Sequence, residues 1–177
     1  MPLPEPLPPA AAIASIAHVE EVVDDKAWLT RAAALLRTWE TSHAPEAEQA
    51  LWELSRRLST HASALPQAAR TPWLDTVEAL AERMATRAPD ASRSAWRAHW
   101  IDLRLERLKG MNGAWRLLEL RALHGACAQD AAPEVIEARI RLLHVWAEAL
   151  IGAAAKAKLA EASALSAGLR GAQALRA

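Results

Sequence analysis

The chain has 177 residues with 21 basic and 21 acidic side chains, so its formal net charge is zero, and 52% of its residues are hydrophobic. That length and composition build one domain with a real core and exclude a disordered polyelectrolyte. They also remove the general electrostatic case for nucleic acid binding, which rests on a net basic surface.

The single cysteine, Cys127, leaves no intramolecular disulfide to form and fits a reducing compartment. Residues 1–9 (MPLPEPLPP) lack the basic start of a signal peptide, and the longest apolar stretch, Val145 to Ala155, is interrupted by Glu148 and too short for a bilayer. The expected compartment is the cytoplasm. Eight tryptophans stand against no Phe or Tyr. Beside abundant Ala, Leu and Arg, this reads as coding bias rather than as a Trp-lined surface.

In chain order, residues 1–9 alternate proline with apolar and acidic residues and are expected to be a disordered, polyproline-like tail. Pro6 to Pro9 matches PxxP only by virtue of that composition. Ala10 to Val23 is expected to form a short capping helix. From Asp25, the spacing of Trp28, Ala32, Leu35 and Trp39 predicts a helix with one apolar face. Pro45 suits the first position of the next helix, Glu46 suits the positive end of its dipole, and Ala47, Leu51, Leu54 and Leu58 form its stripe.

Thr71 and Pro72 then read as N-cap and first residue of a third helix, with Trp73, Val77, Leu80 and Met84 inward. Asp90 reads as the cap of a fourth, closed by Gly110. That helix carries two stripes, Trp96, Trp100, Leu103 and Ile101, Leu105, Leu108, so it should be flanked on both sides. The fifth, Gly113 to Gln129, is expected to turn Trp115, Leu118, Ala122 and Ala126 to the core. Pro133 opens the sixth, with Ile136, Ile140, Leu143, Ala147 and Leu150 inward and a Glu137–Arg141 pair outward. The Ala-rich remainder, with charges at Lys156, Lys158, Glu161 and Arg170, reads as a C-terminal capping helix.

These elements recur. Ala44-Pro45-Glu46, Ala88-Pro89-Asp90 and Ala132-Pro133-Glu134 stand 44 residues apart, preceded by Trp28, Trp73 and Trp115 and followed by Trp52, Trp96 and Ile140. The expectation is an all-α stack of about three helical hairpins, residues 25–68, 69–112 and 113–155, with caps at both ends, in one domain over 10–177. Trp28, Trp73 and Trp115 should pack against their partner helices. In its repeated hairpins with an aromatic near the start of the first helix, the segment 25–155 resembles tetratricopeptide-like and related α-α solenoids. That family has a shorter period and places its proline at the end of the second helix, whereas Pro45, Pro89 and Pro133 begin it. The resemblance therefore implies an architecture and a binding role, not a specific membership.

Little points to chemistry. His124, Cys127 and His144 supply three ligand types but no fourth and no metal-site spacing, so no metal or other cofactor is expected. The acid pairs Glu78/Glu82 and Asp102/Glu106 have helical spacing that most soluble helices show. Phosphate-loop, dinucleotide and nucleophile-elbow motifs are missing, so no enzyme is expected.

The repeat isolates one position. Eleven residues beyond each repeat proline stand Arg56, Trp100 and His144, and Arg93, Arg97 and Arg104 share the face of Trp100. Trp ringed by Arg is the composition of a binding hot spot, while the plain alternative is a core Trp in a doubly flanked helix. The leading expectation is a non-enzymatic adaptor that binds a protein or peptide partner, one with acidic character if Arg93, Arg97, Arg104, Arg107, Arg116 and Arg121 act together. The alternative is a small-molecule or effector-sensing domain with a Trp-lined cavity. Nucleic acid stacking on the Arg–Trp cluster is a third, less favoured reading.

Overall fold

The computed structural model describes residues 25–175, and for residues 25–29 and Ala68 the backbone alone. The expected tail and first capping helix lie outside the described residues. Among those described the fold is all-α: seven helices and no strand. They are α1 (Asp25–Ser42), α2 (Pro45–Ala64), α3 (Gln67–Arg87), α4 (Asp90–Leu108), α5 (Gly113–Cys127), α6 (Pro133–Glu148) and α7 (Gly152–Ala174). No helix among the described residues is long and apolar enough to cross a membrane.

Each Ala-Pro-acid tripeptide starts a helix. Pro45 and Pro133 take the first helical position behind extended Ala44 and Ala132, where a residue before proline is driven and where the missing N–H costs no bond. Pro89 sits one place earlier, at the N-cap of α4, so Asp90 is the first helical residue and not the cap. Its carboxylate instead pairs with Arg93 at 2.7 Å. Gly110 follows α4 as expected, but the glycines with left-handed backbone are Gly113 and Gly152, which precede or open α5 and α7. His43 takes that conformation at the α1–α2 turn, with its N–H donating to the Trp39 carbonyl at 2.7 Å.

The chain forms two compact units that meet in sequence at Leu80/Ala81, so the first part of α3 belongs to one and its last turns to the other. In the first unit α1 packs on α2. Ala32, Leu35 and Trp39 of α1 and Ala47, Leu51, Leu54 and Leu58 of α2 are all buried, as their spacing predicts. Trp73 is 8% exposed, with the His61 ring edge-on at 4.8 Å. Helix α3 starts at Gln67 rather than at Thr71, which leaves Pro72 inside it. The reason is Pro66: its carbonyl accepts the N–H groups of Ala69 and Arg70, and the Arg70 guanidinium spans the carbonyls of Ser63 and Leu65 at 3.0 and 3.1 Å.

In the second unit α6 is central and packs against α4, α5 and α7. Ile101, Leu105 and Leu108 of α4 meet Leu120, Leu123 and Cys127 of α5 and Val135, Ala138 and Leu142 of α6 in one core. Two expected stripes need correction. Leu143 and Ala147 are buried, but Ile136, Ile140 and Leu150 are only half-buried, and the inward face of α6 centres on Val135, Ala138 and Leu142. Arg141 does not pair along the helix with Glu137. It reaches across to α4, where Nε and Nη2 hold both oxygens of Asp102 at 2.8 and 2.7 Å.

The larger correction is α5. Trp115 is 71% and Leu118 56% exposed, and Ala122 and Ala126 are exposed beside them. The helix is turned so that Leu120, Leu123 and Cys127 face inward. Both stripes have helical spacing, and it is Leu120 and Leu123 that pack into the core with α4 and α6. The expected inward packing of the landmark tryptophans thus fails at Trp115; Trp73 is buried with its ring contact to His61 of α2, and the Trp28 side chain lies outside the described residues.

Candidate functional site

The four residues singled out by the repeat share one face of α4, and the structure gives each a neighbour. Arg93 donates through Nε to the Ala88 carbonyl at 3.0 Å while Nη1 meets Asp90. It braces the start of its own helix. Arg97 Nη1 holds Asp130 Oδ2 at 2.7 Å, and the other oxygen of Asp130 accepts the Ala132 N–H at 3.0 Å. This arginine therefore ties the α5–α6 loop to α4. Arg104 lies 3.6 Å from Glu119 of α5, with its guanidinium carbon 5.8 Å from the Trp100 ring centroid. Each of the three cations has a carboxylate partner within the chain.

Trp100 is half-buried. One side of its ring packs against the core of the second unit, and its indole N–H is buried with no hydrogen-bond acceptor. Beside it a groove of about 210 Å³ runs between α4 and α5. Trp100, Leu108, Ala122, Leu123 and Ala126 form its apolar floor, and Glu82, Arg104 and Glu119 form its rim. Two carboxylates face one guanidinium, so the rim is slightly acidic. Trp100 and Arg104 are legible in the sequence, but the α5 wall is not, because helical periodicity from Trp115 points Ala122 and Ala126 inward. One signal was available: Trp115 stands 18 residues before Pro133, whereas Trp28 and Trp73 stand 17 and 16 before Pro45 and Pro89.

The titratable groups that sequence reading weighed for chemistry have structural positions. Cys127 is fully buried, its thiol donates to the Leu123 carbonyl at 3.2 Å, and burial pushes its pKa up. His124 Nε2 donates to Glu161 Oε1 at 2.8 Å, whereas His144 is exposed on α6. No group of three His, Cys, Asp or Glu among the described residues is placed to hold a metal ion. Asp102 is held by Arg141, and Glu106 bonds Lys109.

One cluster escaped sequence reading. Glu161 of α7 takes Lys158 Nζ at 2.9 Å as well as His124, and that ammonium sits 4.3 Å from the Trp146 ring centroid. The Trp146 ring meets His124 edge-on at 5.5 Å. Burial pushes the Glu161 carboxyl up, but the bonds and charges of Lys158 and His124 outweigh it and hold the group below its ordinary range. The cluster fastens α7 to α5 and α6. The Lys158–Glu161 spacing was its only sequence signal.

No family model, curated protein or solved structure matches the chain.

Proposed function

We propose that the protein is a non-enzymatic helical adaptor that binds a protein or peptide partner in the groove between α4 and α5. One observation carries the reading: an apolar groove lined by half-exposed Trp100 and bounded by polar side chains. A buried aromatic anchor with a polar rim is the composition of a binding hot spot. The groove also has the form that an amphipathic helix fills through residues spaced three or four apart.

The small-molecule alternative draws less support, because about 210 Å³ is below the roughly 300–1,000 Å³ of ordinary ligand pockets and one tryptophan lines it. The internal pairing of Arg93, Arg97 and Arg104 and the presence of Glu82 and Glu119 favour a partner that is apolar at the contact rather than strongly acidic. Within this proposal the repeated hairpins, like those of tetratricopeptide-like solenoids, serve as scaffold, and the free Cys127 suits a reducing cytoplasm.

The test is a photo-reactive residue in place of Ala122, in the full chain expressed in its own host. One discrete protein conjugate should form, and it should be lost when Trp100→Ala is added to a chain that stays folded. Conjugates equally abundant from exposed Glu134 would sink the reading, as would the absence of any protein conjugate.

A further inference from the structure

We draw no further inference here: the strongest candidate, the exposed apolar face of α5 around Trp115 and Leu118, carries nothing because nothing in the structure shows what covers it.

Discussion

Arg97 of α4 and Asp130 of the α5–α6 loop form a 2.7 Å ion pair immediately before the turn from which α6 starts. Asp130 is the better buried partner, at 16% side-chain exposure against 36% for Arg97, and it also accepts the Ala132 N–H. One carboxylate thus links a helix face, a loop and the approach to a helix N-terminus. The repeat comparison groups Arg97 with Trp100 as a candidate recognition residue. Its observed partner gives it a different consequence.

Arg97→Ala should destabilise the fold by about 1–2 kcal/mol, the lower part of the range for hydrogen bonds to charged groups because the arginine is partly exposed. Urea denaturation of the variant measures it. Equal midpoints for variant and wild type would show that the pair holds nothing together.

Trp73→Ala should cost about 3–5 kcal/mol, the range for truncating a buried aromatic. The indole is 8% exposed and loses the edge contact with His61 as well. Trp115→Ala makes the contrast: at 71% exposure its folding midpoint should barely move in dilute solution. Similar losses at both positions would contradict the rotation of α5.

Pro72→Ala should stabilise α3. Pro72 stands in the second turn of a helix that begins at Gln67, where it removes the hydrogen bond to the Ala68 carbonyl and crowds that group. Its ring is exposed, so little packing is lost. A gain of about 1–3 kcal/mol is expected, below or at the full helix-interior penalty of about 3 because the site lies near the N-terminus. Thermal unfolding gives the answer, and an unchanged or lower midpoint would show that the proline is accommodated without cost.

What the sequence revealed follows from how unambiguous each local pattern is. Helix α2 was legible residue by residue, since Ala47, Leu51, Leu54 and Leu58 are its only continuous apolar line and Pro45 marks its start. Helix α5 carries apolar residues on two faces, so periodicity alone allowed two rotations and the tryptophan landmark selected the exposed one. Pro72 misled in the same way: Thr-Pro is a sound helix start, but Pro66 five residues earlier made a competing start that Arg70 completes. At the candidate site, Trp100 stood out because its repeat equivalents are polar. The partners of Arg97 and Arg141 lie 33 and 39 residues away, in loops and helices whose approach no local pattern encodes.

The last expectation concerns pH and helix α7. Glu161 is the acceptor for both His124 and Lys158, and its carboxyl is held below the ordinary range despite partial burial. A carboxyl depressed in the folded state contributes stability above its unfolded value, about 4.3, and loses that contribution as pH falls through the folded value. Glu161→Gln removes the charge and keeps the shape. At pH 7 the variant should be less stable than wild type, and amide exchange along α7 should quicken more than in the core of α4 and α6. As pH falls below the carboxylate range, the two proteins should converge, because wild type then carries an uncharged group at the same place. A difference that persists undiminished at about pH 2–3 would assign the effect to packing of the glutamine and not to the Glu161 charge.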